Sequence, residues 1–273
     1  MDISVVILNY NHQYFIKLAV EALEKSVFKG KFEIILVDNA SKDQVSVGFM
    51  QEAEKEGRIT FIQNPKNIGF GAGNNVGVKV AKGKYIFIHN PDVTIQPDSL
   101  QRLFDYAEQH KEIGILAPQL RYANGYIQES CRRDMKFVDL VIKRTFLAKI
   151  QPFKKRLQLF LMEDYDHSKT MEAELVTGAA MFIARKTFEK IGGFDERYPL
   201  FMEDFDLCRE VRKAGFKVVY FPECQISHYH KRLSNDNLFK SLTRRVFWLH
   251  VISAFKYFWK WRDQAESSGK AES

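Results

Sequence analysis

The chain has 273 residues, 45% apolar and 27% charged, enough for one domain with an appendage, or two domains at most, and too apolar for a disordered polymer. Its formal net charge of +7 would suit a nucleic acid, an anionic membrane face or a phosphorylated substrate, and the placement of the charges must separate these. Cys131, Cys208 and Cys224 are odd in number and lack metal-ligand spacing, which argues against a disulfide framework and for reduced thiols in a cytosolic protein.

Met1 is followed at once by Asp2, without a basic n-region or cleavage site, so no signal peptide is expected. Ile3 to Leu8 is an apolar run of strand length, as in a parallel strand buried on both faces, and it ends in Asn9-Tyr10-Asn11. Phe15, Leu18, Ala19, Ala22 and Leu23 then recur with the spacing of an amphipathic helix. Glu33 to Val37 is a second strand, delivering Asp38-Asn39-Ala40-Ser41, where Ser41 or Asp38 could cap the next helix. After a third strand, Ile59 to Ile62, Gly69, Gly71 and Gly73 alternate in a loop whose backbone could approach a ligand closely. A helix from near Ala72 to Gly83, with Val76 and Val80 on one face, would aim its N-terminus at an anion there. The glycine spacing is neither a dinucleotide-binding fingerprint nor a Walker loop.

Tyr85 to Ile88 is a short buried strand that Pro91 brings to a stop, with Asp92 just beyond it. Strands alternating with helices predict a mostly parallel sheet. Asn9, Asp38, the glycine loop and Asp92 then share the carboxyl edge, where such sheets bind ligands. That convergence reads as a nucleotide site.

In the second half Asp98 is expected to cap a helix carrying Leu100, Leu103, Phe104 and Ala107, and Gly114 to Ala117 returns as a strand. From Phe137 to Met162 bulky apolar residues alternate with lysines and arginines, giving either an interfacial segment or a partly buried helical insertion with a basic face. Leu175 to Ile183 is a strand interrupted at Thr177-Gly178-Ala179. Glu203, Asp204 and Asp206 open a helix, where three acids complement its dipole and would pair with Arg209 and Arg212. Crowded carboxylates of this kind also suit a general base. Lys217 to Phe221 is a further strand, followed by His228 and His230 at period two. The tail from Asn237 combines Trp248, Trp259 and Trp261 with Phe and basic residues, a membrane-surface composition too interrupted to span a bilayer. Much of the positive charge is therefore assigned to an anionic membrane surface, and nucleic acid is not expected as a partner.

The segments Val5 to Asn11, Val37 to Ser41, Asn67 to Asn74, Asn90-Pro91-Asp92, Thr177-Gly178-Ala179 and Glu203 to Leu207, in that order, resemble the family-2 inverting glycosyltransferases of the GT-A fold. Among these the pattern is most similar to bacterial rhamnosyltransferases that build cell-surface polysaccharides. The resemblance implies an α/β fold, a single Rossmann-like mixed sheet with helices on both faces, over residues 1–231, divided into a nucleotide-binding half (1–95) and an acceptor-binding half (96–231). Residues 232–273 would form an amphipathic, membrane-associated helical tail. Asp38 would bind the nucleobase, with Asn9, Asn11, Asn39, Gly69, Gly71 and Asn74 around the nucleotide. Asp92 and His228 would hold Mg²⁺ or Mn²⁺, Asp204 would act as base with Glu203 beside it, and Thr177 and Gly178 would contact the acceptor. One departure is that Asn90 stands where the metal motif usually has its first Asp.

The implied reaction transfers a sugar, L-rhamnose from dTDP-rhamnose or another sugar from a UDP- or GDP-linked donor, to a lipid-linked glycan at the inner face of the cell membrane. The implied enzyme is cytoplasmic and peripheral, and it could be a homo-oligomer. A nucleotidyltransferase and a non-catalytic nucleotide-binding scaffold are the rival readings.

Overall fold

The computed structural model describes residues 1–229 and 245–262. The expectations placed on His230 and on residues 237–244 fall outside them.

The first half alternates as its periodicities require: β1 (Ile3–Asn9), α1 (Phe15–Glu24), β2 (Phe32–Asp38), α2 (Gln44–Lys55), β3 (Thr60–Gln63), α3 (Phe70–Val80) and β4 (Tyr85–His89). β1 pairs in parallel with β2 and β4, and β2 with β3. Every residue of β1 is buried, because helices cover both faces of the sheet. The second half adds β5 (Val93–Ile95), α4 (Ser99–Gln109), β6 (Ile113–Arg121), β8 (Met171–Glu172), β10 (Ala180–Ala184), α7 (Arg185–Ile191), α8 (Glu203–Lys213), β11 (Lys217–His228) and α9 (Arg245–Lys260). The nine-stranded sheet has the order β3-β2-β1-β4-β10-β6-β11-β5, with β8 also on β11. A separate two-stranded ribbon joins β7 (Cys131–Arg132) to β9 (Leu175–Val176).

The sheet is mixed because β10 lies antiparallel to both β4 and β6, while β11 runs parallel to β6. β4, β6 and β11 therefore point the same way, and the start of β10 meets the carboxyl end of β4. One edge of the sheet collects all these termini. One sheet face packs α1, α2 and α4 through Ile16, Val20, Met50, Leu100 and Leu103. The other packs α3, α7, α8 and α9 through Val78, Phe188, Leu207, Val211 and Tyr257. Each such fully buried aliphatic side chain stabilises the fold by about 1.5–3 kcal/mol.

Several local expectations are corrected. Asp43, rather than Asp38 or Ser41, caps α2, accepting from the N–H groups of Val45 and Ser46. α3 begins at Phe70, two residues before Ala72, and ends at Val80, which is exposed; Gly73, Gly77 and Val78 face the sheet instead. Asp98 stands at the start of α4 without a capping bond, because its carboxylate pairs with Arg102. Residues 137–162 fold as α5 (Phe137–Arg144), a 3-10 turn (146–149) and α6 (Phe153–Phe160), burying Ile142, Phe160, Leu161 and Met162 while Phe137 and Phe146 stay exposed.

α9 is held to α8 by a polar latch inside the apolar packing. Asp206 accepts from Lys260 Nζ (2.8 Å), Trp261 Nε1 (2.7 Å) and the Tyr198 hydroxyl (3.0 Å). Burial raises the Asp206 carboxyl even against Lys260, so the latch gains its value from satisfied hydrogen bonds. Ala254, Tyr257 and Trp261 are buried beside it, whereas Val251, Ile252, Phe255 and Trp259 are exposed on the other side of the helix.

Candidate active site

Asn9 and Asp38 end the neighbouring strands β1 and β2 and pair in register. Both are fully buried: Asp38 Oδ1 accepts from Asn9 Nδ2 (3.0 Å) and Ser41 Oγ (2.5 Å), and its Oδ2 accepts from the Ser41 N–H (2.9 Å). Asn11, at φ 59°, donates its N–H to Ser41 Oγ and accepts from the Lys42 N–H. The carboxylate thus braces the loops after β1 and β2. Asn39 ties the same edge to the glycine loop, donating to the Gly69 carbonyl (3.0 Å) and accepting from Asn64 (2.8 Å).

The glycines serve protein packing. Gly69 has φ 94°, and a Cβ there would meet the Pro199 carbonyl at 2.8 Å; at Gly73 it would meet the Leu8 side chain at 2.5 Å. At Gly71 it would come within 3.6 Å of Glu203 Cβ. Their small size lets α3 press on β1 and on the start of α8. Asn74 donates to the Phe70 carbonyl, and its Oδ1 is buried with no hydrogen-bond partner among the described residues.

Asp92 follows β4, and His228 ends β11, whose last residues pair with Val93–Ile95. Asp92 Oδ1 and His228 Nε2 lie 3.5 Å apart. Gln128 donates its amide to the His228 carbonyl (2.9 Å), which turns its Oε1 toward His228 Nδ1 at 2.8 Å. In that arrangement Nδ1 points a proton at Gln128, and Nε2 is the ring nitrogen turned to the carboxylate. Burial pushes the Asp92 carboxyl up, but His228 and His12 outweigh it and hold it below its ordinary range.

An imidazole nitrogen and a carboxylate oxygen facing each other are a donor set that fits a divalent cation. Among the described residues no group of three or more His, Cys, Asp or Glu side chains is placed to hold a metal. A cation here would draw its other ligands from phosphate oxygens and water, the usual habit of Mg²⁺. Nearby, His89 is fully buried with neither ring nitrogen hydrogen-bonded among the described residues, and burial lowers its pKa to about 4, so it is neutral near pH 7.

The two ends of the site are joined through three residues. The Asn90 N–H donates to the Ala179 carbonyl (2.9 Å), and the Gly178 N–H donates to Asp204 Oδ2 (3.0 Å). Thr177 donates its N–H to the Ser130 carbonyl, anchoring the same turn to the residue just before β7. Gly178 therefore reaches the site by orienting Asp204, which also accepts from the Phe205 N–H (2.9 Å).

Glu203 and Asp204 titrate as a pair. Burial raises both, and for Glu203 the neighbouring Asp204 charge adds to it, to about 8; the Gly178 and Phe205 N–H groups and Arg132 favour ionised Asp204. Glu203 therefore keeps its proton near neutral pH, and of the two carboxyls Asp204 is the one whose hydrogen-bond donors favour the charged form. The pair lines a cavity of about 330 Å³ with Arg132, Leu140, Phe160 and His250, between α5, α8 and α9. The expected partners of the acids differ: Arg209 and Arg212 pair with Asp134, and Lys260 takes Asp206. Arg132, Gln128 and His89 were not singled out in the sequence, because isolated residues with long-range partners leave no periodic or spaced signal.

The family model for glycosyl transferase family 2 matches residues 4–192. N-acetylglucosaminyl-diphospho-decaprenol L-rhamnosyltransferase of Mycobacterium tuberculosis is 26% identical over 209 residues, 72% of this chain and 66% of that relative, so the chain spans just under two thirds of its length. The rhamnosyltransferase WbbL of Escherichia coli is 25% identical over 266 residues, covering 93% of this chain and 92% of WbbL. The crystal structure of GalNAc-T7 with UDP, GalNAc and Mn²⁺ superposes with a TM-score of 0.65 at 17% identity, over 85% of this chain and 44% of that one.

Proposed function

The chain belongs to glycosyl transferase family 2, and from that premise we propose that it transfers L-rhamnose from dTDP-rhamnose to a lipid-linked polysaccharide precursor with inversion. The observation that carries the reading is the Asp204 carboxylate, held by the Gly178 N–H at the end of a cavity and joined through Asn90 and Ala179 to the Asp92–His228 pair. Ionised Asp204 takes the proton of an acceptor hydroxyl as the oxygen attacks the anomeric carbon. The bond from that carbon to the diphosphate breaks, and the nucleoside diphosphate leaves with its electron pair. Positioned general-base help of this kind contributes about 10²- to 10⁴-fold.

Asp92 and His228 would hold Mg²⁺ or Mn²⁺, which when bound offsets the charge of the departing diphosphate. The N-terminus of α3 and the Asn9, Asn11, Asp38 and Asn39 edge would frame the nucleotide. The mycobacterial and WbbL names support rhamnose as the donor sugar, and the mycobacterial name supports a diphosphate-linked lipid acceptor. The domain division proposed is a nucleotide half ending near residue 95, an acceptor half, and a tail from 232.

The exposed Val251, Phe255 and Trp259, with Lys256 and Arg262 beside them, support peripheral attachment to an anionic leaflet. No helix among the described residues is long and apolar enough to cross a membrane.

The test is transfer by the full chain from dTDP-rhamnose, UDP-sugars and GDP-mannose to a membrane lipid extract, with Mg²⁺, Mn²⁺ or chelator. Transfer from dTDP-rhamnose, abolished by chelator and giving the inverted anomer, is the expected result. A retained anomeric configuration would refute the single displacement. Turnover of a UDP- or GDP-sugar instead would move the donor assignment.

A further inference from the structure

The cavity beside Asp204 contains a cation that the proposed transfer does not use. Arg132, on the ribbon strand β7, lies partly buried with its guanidinium 5.9 Å from the Phe160 ring centroid. Its Nη1 is enclosed and has no hydrogen-bond partner among the described residues. Asp204 does not satisfy it, because that carboxylate is turned to the Gly178 and Phe205 N–H groups. An enclosed, charged donor left without an acceptor is costly to the fold, and a planar guanidinium is matched to phosphate oxygens.

The walls of the cavity bear on what the missing acceptor is. α5 contributes Leu140 and α9 contributes His250. The same two helices turn exposed apolar side chains outward, Phe137 on α5 and Phe255 and Trp259 on α9, and Phe137 packs edge-on against Phe258 of α9. A ligand arriving from an apolar surface along these helices brings its charged linkage to the depth of the cavity, with its sugar ahead of it. Three carboxyl groups, Asp139, Glu203 and Asp204, already line that space. An anionic linkage entering beside them needs an intervening cation; Arg132 and Lys143 both line the cavity, and Arg132 is the one with an enclosed donor left over. The volume, about 330 Å³, lies in the range of small-ligand pockets, about 300–1,000 Å³.

We propose that Arg132 is the phosphate clamp of the acceptor pocket, binding the diphosphate through which the acceptor sugar is joined to its lipid and so presenting that sugar's hydroxyl to Asp204. This rests on reading the chain as a transferase acting on a lipid-linked acceptor. It adds the residue and the chemical group that select such an acceptor over a free glycan.

The test compares binding to the full chain of three soluble probes that present the same pyranose scaffold: a short-prenyl diphosphate sugar, its alkyl glycoside, and an alkyl uronide. Calorimetry is run on wild type, Arg132→Ala and Arg132→Lys, with nucleotide binding measured alongside as the check on folding. The wild type is expected to prefer the diphosphate probe over the alkyl glycoside by roughly 10- to 100-fold. Arg132→Ala should collapse that preference without changing nucleotide affinity, and Arg132→Lys should keep part of it.

A role confined to supporting the cavity would weaken all probes equally, and an unchanged preference in Arg132→Ala would overturn the proposal. A wild type without the preference overturns it as well. Arg132-dependent selection of the uronide in place of the diphosphate overturns the phosphate assignment. Should Arg132→Ala lose nucleotide binding, the Arg132→Lys comparison decides: full wild-type preference there, with inorganic pyrophosphate failing to compete for the probe on wild type, counts against the clamp. Arg132-dependent binding without transfer from any donor would fault the transferase reading while upholding the clamp.

Discussion

Gly178→Ala probes how tightly the base is positioned. An added Cβ would lie 3.1 Å from Asp204 Cβ, and 3.3 and 3.4 Å from Cε1 and Cζ of the Phe70 ring. Carbon atoms settle at about 3.5–4.0 Å, so Asp204 must retreat by roughly half an ångström, and Phe70 on the other side leaves the methyl little room to slide away. Gly178 is not among the residues with positive φ, so alanine can adopt its backbone conformation. Loss of unfolded-chain freedom then returns about 0.4–1 kcal/mol against the crowding, and stability should change little.

Activity should change more. A misplacement of 1 Å costs about 10²-fold in a positioned reaction, so half of it should lower kcat by roughly 10-fold. The assay is initial-rate transfer at saturating donor, with donor KM and thermal midpoint measured on the same preparation. A wild-type kcat in a stably folded Gly178→Ala protein would refute the claim that this contact positions Asp204.

The α9 latch makes a prediction about stability. Asp206→Ala strips the acceptor from Trp261 Nε1 and the Tyr198 hydroxyl, whereas Lys260 keeps Asp195 and Glu210. The expected loss is about 3 kcal/mol, a fall of about 6–12 °C in Tm by calorimetry; a shift under about 2 °C would discount the latch. His89 makes the fold acid-sensitive. Folded, it stays neutral down to about pH 4, while in the unfolded chain it protonates near its ordinary value of 6.5. Its contribution is therefore complete above pH 6.5 and declines as pH falls toward 4, by about 3 kcal/mol across that interval. Urea midpoints from pH 7 to 4 should show a slope that His89→Leu flattens; an identical slope in the variant would remove His89 as its source. Gln128→Leu should weaken Mn²⁺ binding in the presence of nucleoside diphosphate by about 10- to 100-fold, followed by calorimetry, and unchanged affinity would separate Gln128 from the cation.

The features legible in the sequence share a local or periodic cause. β1, β2 and β4 follow from apolar runs with no competing pattern, and the stop at Pro91 places Asp92 at the sheet edge. The Glu203-Asp204 pair is visible because two acids open a helix. Caps failed where several short polar residues compete: Asp43 wins at α2 because Asp38 and Ser41 are engaged with each other and with Asn9. Periodicity was incomplete for α3: Val76 packs against the core, but Val80 is exposed, and the closest approach to the sheet is made by the small residues Gly73 and Gly77. Two of the partners of Asp206, Lys260 and Trp261, lie more than fifty residues away, and nothing in their surroundings announces them. Arg132 was illegible for a related reason, because its meaning comes from an enclosed Nη1 that only the packed cavity creates.

The most direct test of the central claim is release of nucleoside diphosphate in the presence of the lipid acceptor by wild type and Asp204→Asn, with nucleotide affinity measured on both. Release by the wild type, lowered about 10²- to 10⁴-fold in the variant while it binds nucleotide normally, is the predicted result. Equal release by the two proteins would contradict the assignment of Asp204 as the base.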